Sequence, residues 1–267
     1  MKTNELKELV KEKYGRIAAQ SHLLKSESCC GEVSCCGEVD YTIFSDDYSK
    51  LPGYNPDADL GLGCGIPSDK ADIKEGDSVL DLGSGAGNDC FVARSLVGKT
   101  GKVTGLDFTQ EMVLKAKRNA EKTGFTNIEF IHGDIEEMPF EDGQFDVVIS
   151  NCVLNLVPDK KKAFSEIYRV LKPGGHFNIS DIVLVGNLPH KLKEEAEMYA
   201  GCVSGAIQKE EYLEMVKQQG FSNIQIKSEN RSLIPDSLLK NYLSEDEVVQ
   251  FKKQEFGLIS ITVAAAK

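Results

Sequence analysis

Three single cysteines stand in three short segments that lie far apart along the chain. Cys64 lies in LGCGIP, Cys152 in SNCVLNL and Cys202 in AGCVSGA. A thiolate is both a nucleophile and a soft ligand, so a site built from several thiolates would select a soft, thiol-binding acceptor. Taken singly, each cysteine is better explained as a small buried apolar residue. Their occurrence in three separate motifs favours a thiol site, whereas we interpret Cys90 as structural.

A glycine-rich loop is the second chemical feature of the sequence. It follows an apolar, β-prone segment and reads DLGSGAGND, with Asp81 first and glycines at Gly83, Gly85 and Gly87. Such glycines let the backbone turn tightly and approach a ligand closely. The G-x-G-x-x-G pattern of dinucleotide sites is not met, because asparagine follows Gly87. Asp107 ends the next predicted strand, where a carboxylate reaches the ribose hydroxyls of a bound nucleotide.

These features lie on a chain that alternates strands and helices from about residue 73 onwards. The predicted strands are 78–82, 102–106, 128–131, 145–150, 176–184, 223–227 and 258–265, and the predicted helices are 89–97, 110–122, 160–171 and 210–219. Alternation of this kind indicates a parallel sheet with helices on both faces. We therefore predict an α/β fold with a doubly wound, mostly parallel, Rossmann-like sheet of seven strands. Its last strand is expected to be antiparallel, with residues 228–267 completing the sheet as a hairpin.

The residues before the alternating part are of three kinds. Residues 1–27 show the spacing of an amphipathic helix, and residues 28–39 repeat the unit SCCGEV. Residues 40–72 are rich in Gly, Pro, Asp and Tyr and are interpreted as a structured loop or lid. The repeat contains the adjacent pairs Cys29-Cys30 and Cys35-Cys36. Zinc sites normally use C-x-x-C spacing, so we predict no resident metal, and the role of the two pairs stays open.

The composition shift near residue 72 suggests how the chain is divided. We assign residues 1–72 to an N-terminal segment and residues 73–267 to the main domain. Within that domain, residues 185–208 interrupt the alternation and are interpreted as a helical insertion at the substrate site. The chain ends soon after the last predicted strand, so we expect no further C-terminal domain.

Composition and charge limit the possible partners. The formal net charge is −11 and the isoelectric point is about 5.0. This acidity argues against nucleic acid and against an anionic membrane surface, and it is compatible with a small neutral or cationic substrate. The first residues lack the pattern of a signal peptide, and no segment is apolar enough to span a bilayer. We expect a cytoplasmic monomer whose eight cysteines are reduced thiols.

The glycine loop and two later segments resemble the motifs of class I S-adenosylmethionine-dependent methyltransferases. The segment GDI at 133–135 follows the third predicted strand, and LKPGG at 171–175 precedes the fifth. The resemblance implies that S-adenosylmethionine binds at the loop, with its ribose on Asp107 and its adenine edge on Asp134 and Ile135. The residues that the resemblance assigns to the cofactor are Asp81, Gly83, Gly85, Gly87, Asp107, Met112, Asp134 and Ile135.

The three cysteine motifs, together with PDK at 158–160, resemble those of the arsenite methyltransferase family over about residues 1–225. The resemblance implies that Cys64, Cys152 and Cys202 bind As(III), which receives a methyl group from S-adenosylmethionine in arsenic detoxification. It also implies that enzyme thiols then return the arsenic to the trivalent state by forming a disulfide. An external reductant of the thioredoxin or glutathione type would reduce that disulfide.

Two other functions are compatible with the same motifs. A small-molecule methyltransferase acting on carbon or oxygen would tolerate mutation of Cys64 or Cys202. A non-catalytic As(III)-binding thiol protein would bind the metalloid and yield no methylated product, although the intact glycine loop speaks against it. The sequence does not determine the number of methyl transfers or the acceptance of antimonite and methylarsenite.

Overall fold

The structure is a computed structural model and describes residues 3–20, 46–186, 205–232, 239–240, 243–252 and 257–267. Cys202, the two cysteine pairs and residues 187–204 of the predicted insertion lie outside the described residues. Within the described ranges, no helix combines the length and the apolar character that crossing a membrane requires.

The described residues form a seven-stranded sheet with helices packed against it. The strands are β1 (Ser78–Leu82), β2 (Lys102–Asp107), β3 (Ile128–His132), β4 (Phe145–Asn151), β5 (Leu171–Val185), β6 (Ser222–Ser232) and β7 (Gly257–Ala266). The helices are α1 (Thr3–Gln20), α2 (Asn88–Val97), α3 (Gln110–Thr123), α4 (Lys160–Val170), α5 (Lys209–Gln218) and α6 (Glu245–Lys252). A 3₁₀ turn, Leu154–Leu156, follows β4.

The sheet confirms the predicted topology. Its strand order is β3-β2-β1-β4-β5-β7-β6, and the neighbours from β3 to β5 run parallel. β7 is antiparallel to both β5 and β6. The central strands are buried along most of their length, which explains why their sequences are continuous apolar runs rather than alternating ones. The strand order reverses between β1 and β4, and doubly wound sheets bind their ligands at such a point.

α4 illustrates how the side-chain pattern positions a helix on the sheet. The Asp159 carboxylate accepts a backbone N–H of the first turn and so caps the helix. The inward face of the helix, set by its 3.6-residue period, carries Phe164 and Ile167, and both side chains are fully buried. The ring of Phe164 packs against Phe177 of β5 and Tyr212 of α5, with ring centroids 6.0 and 5.5 Å apart. These contacts hold α4 and α5 on the same face of the sheet.

The observed elements differ from the predicted ones in two places. β5 begins at Leu171 rather than His176, because the LKPGG segment already pairs with the start of β4 at Phe145. β6 and β7 pair antiparallel as expected, but α6 lies between them and was not predicted. The division of the chain near residue 72 stays a prediction.

Candidate functional site

A cleft opens at the carboxyl ends of β1, β2 and β4. Its empty volume, with the part open to solvent, is about 940 Å³. The glycine loop, Asp107 at the end of β2 and Asn151 at the end of β4 line it from the sheet. Residues of the segment 46–63 line it from the predicted lid, together with Val10 and Tyr14 of α1. The cleft therefore occupies the position at which this kind of sheet binds ligands.

The three glycines of the loop have positive φ angles and different surroundings. Gly83 (φ +66°) packs so closely that an added Cβ would lie 2.4 Å from Cγ2 of Val153. At Gly87 (φ +98°), the added atom would lie 2.8 Å from the Phe130 ring. At Gly85 (φ +53°), which lines the cleft, no atom of the described residues other than its two chain neighbours lies within 4 Å of the added Cβ. Gly83 and Gly87 thus allow the loop to pack, and Gly85 leaves space for a ligand.

Two buried polar atoms of this loop region have no hydrogen-bond partner within the described part of the chain. They are Oγ of Ser84 and Oδ1 of Asn88, and both residues line the cleft. A buried polar atom without a partner costs about 1–3 kcal/mol, so a polar ligand that bonds to it is stabilised. These atoms and the open space at Gly85 fit the polar methionine part of S-adenosylmethionine.

Three buried carboxyl groups surround the loop. Burial raises the pKa of Asp81 well above its usual value, and the negative charge of Asp89 adds to the rise. Burial also raises the pKa of Asp89 and that of Asp107, although hydrogen-bond donors around each carboxylate oppose the rise. A cationic group in the cleft would relieve this crowding of negative charge. The electrostatics therefore favour a ligand that carries positive charge.

Not all of the predicted cofactor residues reach the cleft. The Asp107 carboxylate accepts the N–H of Gly85 at 2.9 Å and the N–H of Thr109 at 2.8 Å, which holds it beside the loop. Asp134 instead accepts a hydrogen bond from Lys7 Nζ of α1 at 2.6 Å. The predicted cofactor residues that line the cleft are Asp81, Gly83, Gly85, Asp107, Met112 and Ile135. Asp134 lines an adjoining pocket that shares Ile135 and Val153 with the cleft, and Gly87 lines neither of the two.

Two of the three predicted arsenic ligands lie in one buried cluster. Cys64 and Cys152 share this cluster with Leu156 and Ile182, and Cys152 also lines the cleft. The backbone of Cys152 has φ +59°, a conformation that costs a residue other than glycine roughly 1–2 kcal/mol. Strain retained at a cleft residue is typical of functional positions. Cys202 lies outside the described residues, so its place relative to the other two stays a prediction.

Cys90 lies apart from this thiol cluster, on the first turn of α2. Its Sγ donates a hydrogen bond to Oδ2 of Asp81 at 3.1 Å. Burial raises the pKa of the Cys90 thiol well above its usual value, and the charge of Asp81 adds to the rise. Cys90 therefore has the surroundings of a protonated, structural thiol.

The sequence analysis missed two parts of this site. One is a hydrogen-bonded group in which Asp89 accepts from Tyr48 at 2.8 Å and from Asn151 at 3.1 Å. The other is α1, whose residues Val10 and Tyr14 line the cleft. The apolar spacing of residues 1–27 predicted a helix, but it did not predict that this helix packs over the cleft. Tyr48, Asp89 and Asn151 are far apart in the sequence, so no local pattern indicates that their side chains meet.

Comparisons with known proteins agree with this geometry. A family model described as a methyltransferase domain matches residues 73–220. The chain is 40% identical to an arsenite methyltransferase of Halobacterium salinarum, over 87% of this chain and 62% of the relative. It is 34% identical to an arsenite methyltransferase of Aquipseudomonas alcaligenes, over 89% of this chain and 68% of the relative. The chain thus spans about two thirds of the length of these relatives.

A solved structure of an arsenic methyltransferase also matches the chain. The crystal structure of an arsenic(III) S-adenosylmethionine methyltransferase from Chlamydomonas reinhardtii matches with a TM-score of 0.66 and 37% identity. The match covers 77% of this chain and 67% of the algal chain. Fold, cleft and sequence agree, and the chain belongs to the arsenite methyltransferase family of S-adenosylmethionine-dependent methyltransferases.

Proposed function

We propose that this chain transfers a methyl group from S-adenosylmethionine to As(III) held by its own thiols. The observation that carries the proposal is the position of Cys152, a buried thiol on strained backbone that lines the cleft of a methyltransferase fold. Cys64 supports it as a second buried thiol of the same cluster. Cys202 is proposed as the third arsenic ligand because its motif resembles that of the family.

The residues of the chain would contribute binding and orientation. S-adenosylmethionine, when bound, supplies an electrophilic methyl group on a positively charged sulfur. Asp81 and Asp107 attract that positive charge, and the space at Gly85 admits the ligand next to the backbone. Arsenic bound to thiolates keeps a lone pair and has no proton to lose, so the transfer needs no general base. The contribution of the thiols is to hold the acceptor at the cleft in a fixed orientation.

We also propose how the cycle is completed. After the transfer the arsenic is formally pentavalent, and two enzyme thiols would supply the two electrons that restore the trivalent state as they join in a disulfide. An external reductant of the thioredoxin or glutathione type would then reduce that disulfide. This cycle requires a compartment in which thiols stay reduced, so a cytoplasmic location is part of the proposal. The monomeric state expected from the sequence is proposed with it.

The proposal is tested by separating arsenic species after incubation of the protein with arsenite, S-adenosylmethionine and a thiol reductant. Wild type should form methylated arsenic, and Cys152→Ser and Cys64→Ser should each lower the initial rate by about a hundredfold or more, as loss of a catalytic positioning contact does. Cys90→Ser is the matched control and should keep its rate, because a serine hydroxyl can keep the hydrogen bond to Asp81.

Two results would contradict the proposal. Wild type that binds S-adenosylhomocysteine but forms no methylated arsenic and does not bind arsenite would indicate a carbon or oxygen acceptor. Wild type that binds both and still forms no product would indicate a thiol protein that only sequesters arsenic.

α1 provides a separate prediction about cofactor binding. Its Lys7 forms ion pairs with Asp134 and Glu136, and Val10, further along the helix, is buried and lines the cleft. Removing the ion pairs with Lys7→Ala should weaken S-adenosylhomocysteine binding about fivefold, or about 1 kcal/mol, because the helix no longer stays over the cleft. Isothermal titration calorimetry measures this change.

The control for this prediction lies on the same helix. Within the described part of the chain, Arg16 forms its ion pair with exposed Glu12 of the same helix, so Arg16→Ala should leave the affinity unchanged. Equal affinity in wild type and Lys7→Ala would show that the ion pairs of Lys7 do not contribute to cofactor binding.

A further inference from the structure

The carboxylate of Asp89 joins three parts of the chain that are distant in sequence. Its Oδ2 accepts hydrogen bonds from the Tyr48 hydroxyl at 2.8 Å and from Nδ2 of Asn151 at 3.1 Å, and its Oδ1 accepts one from the Ser68 hydroxyl at 2.7 Å. Tyr48 and Ser68 belong to the segment before β1, Asn151 ends β4, and Asp89 lies on the first turn of α2. The carboxylate is 6% exposed, so these bonds form away from bulk water.

Asn151 carries this connection to Cys64. Its Nδ2 carries two hydrogens and shares them among three acceptors, which are Asp89, the Tyr48 hydroxyl at 2.8 Å and the Gly65 carbonyl at 2.8 Å. Its Oδ1 accepts the backbone N–H of Cys64 at 2.9 Å. Both ends of the side-chain amide are therefore engaged, which defines its orientation. The amide also lies against the neighbouring backbone, since a Cβ at Gly63 would come within 2.5 Å of Nδ2.

The backbone of Cys64 is held on both sides of the residue. Asn151 accepts its N–H, and the hydroxyl of Ser260 in β7 donates to its carbonyl. Cys152 follows Asn151 directly, so the same asparagine lies next to one thiol residue in sequence and bonds to the backbone of the other. The relative position of the two cysteines thus depends on the orientation of one amide.

We propose that Asp89 is a positioning residue that, through Tyr48 and Asn151, places Cys64 against Cys152 for binding of the arsenic substrate. The proposal rests on the proposed function, because it takes the two cysteines to be arsenic ligands. A network of donors around a buried carboxylate is suited to this role. Hydrogen bonds to a charged acceptor are stronger than those between neutral groups, and a fully satisfied buried network has few alternative arrangements. Asp89 itself does not contact the arsenic in this proposal.

Tyr48→Phe is the mildest test, because it removes one hydroxyl and leaves the ring. That hydroxyl donates to Asp89 and accepts from Asn151, so its loss removes one of the contacts that orient the amide holding Cys64. Arsenite binding without cofactor, measured by equilibrium dialysis with elemental detection, should weaken about tenfold. The KM for arsenite should rise by a similar factor, while the KM for S-adenosylmethionine stays within about twofold, a split that general destabilisation would not produce.

Two further variants complete the experiment. Tyr54→Phe is the matched control in the same segment, since its hydroxyl bonds to Asp59 at 3.2 Å and not to the network, and it should bind arsenite like wild type. Asp89→Asn keeps the shape of the side chain but replaces one acceptor oxygen with an NH2 group, which faces the donors that now bond to Asp89. It should therefore weaken arsenite binding more than Tyr48→Phe does.

Cys64→Ser separates failure of this proposal from failure of the proposed function. If Cys64→Ser binds arsenite as wild type does, the thiol site itself is wrong, and the proposal for Asp89 falls with it. If Cys64→Ser loses binding while Tyr48→Phe binds with wild-type affinity and unchanged KM, the positioning role of the network is overturned. Tyr48→Phe decides between these outcomes even if Asp89→Asn does not fold.

Discussion

Replacing Gly83 with alanine is expected to destabilise the fold by roughly 3 kcal/mol. The backbone there has φ +66°, which costs alanine about 1–2 kcal/mol. The new Cβ would also lie 2.4 and 2.6 Å from the two methyl carbons of Val153 and 3.0 Å from its Cβ. Valine is β-branched, so rotation of its side chain cannot move both methyl groups away. Relieving this overlap requires the turn after β4 to shift, and such overpacking costs about 1–3 kcal/mol.

Thermal unfolding without ligand measures this effect. At roughly 2–4 °C per kcal/mol for a chain of this size, the melting temperature of Gly83→Ala should fall by roughly 6–12 °C. The melting temperature of Gly85→Ala should fall less, because φ +53° is strained for alanine but the described residues beyond its chain neighbours place no atom within 4 Å of the new Cβ. Gly85→Ala should instead bind S-adenosylhomocysteine about tenfold more weakly, because the methyl group occupies space in the cleft.

Gly124→Ala controls for backbone strain alone. Gly124 caps the C-terminus of α3 with φ +69° and does not line the cleft. Apart from its chain neighbours, the part of the chain that the structure describes has no atom within 4 Å of a Cβ added there. Gly124→Ala should lose about as much stability as Gly85→Ala and keep wild-type affinity. A weaker affinity in Gly124→Ala, or wild-type stability in Gly83→Ala, would contradict the roles that we assign to the loop glycines.

Replacing Asp181 with asparagine should stabilise the protein at alkaline pH. Asp181 lies in β5 and is completely buried, and its carboxylate bonds to the N–H of Ile182 at 2.9 Å and lies 3.5 Å from the Tyr212 hydroxyl of α5. Burial raises the pKa of Asp181 to about 7, although the charge of Lys160 in α4 and these hydrogen bonds oppose the rise. The carboxyl group is therefore neutral in the folded protein at acidic pH and ionised above neutrality.

The direction of the pH effect follows from proton binding. Between the unfolded pKa of 3.8 and the folded pKa of about 7, the folded protein binds more protons, so its free energy of unfolding falls as the pH rises. At about 1.4 kcal/mol per pKa unit, the full cost above pH 7 is roughly 4 kcal/mol, and less than half of it is present at pH 5. Asparagine carries no such cost and still offers an oxygen to the Ile182 N–H.

Urea unfolding of both proteins at pH 5 and pH 8 checks this prediction. The advantage of Asp181→Asn over wild type should grow by roughly 2–3 kcal/mol between the two pH values. Asp69→Asn, at an exposed position, is the control and should show no such growth. A difference between Asp181→Asn and wild type that is independent of pH would show that the carboxyl group does not change its charge in this range.

The strands, the glycine loop and the mostly parallel character of the sheet were predictable, because they follow from local patterns and from the alternation of strands with helices. The order of the strands within the sheet was given only by the structure. The run around β4 is apolar since the strand is buried between two layers, and Gly83 and Gly87 are glycines because their φ angles and close neighbours exclude a side chain. The thiol motifs were predictable as separate candidates from residue type. That Cys64 and Cys152 share a buried cluster follows from the positions of the segment before β1 and the turn after β4.

The sequence by itself therefore determined the fold, the cofactor loop and the kind of acceptor that its cysteines suit. Only the tertiary structure decided which distant residues meet: Asp134 with Lys7 of α1, and Asp89 with Tyr48 and Asn151. The physical reason is that a hydrogen bond between side chains depends on distances of about 3 Å. Periodicity and motif spacing describe neighbours along one element, whereas such distances are determined by how β1, β4 and the segment before them pack together.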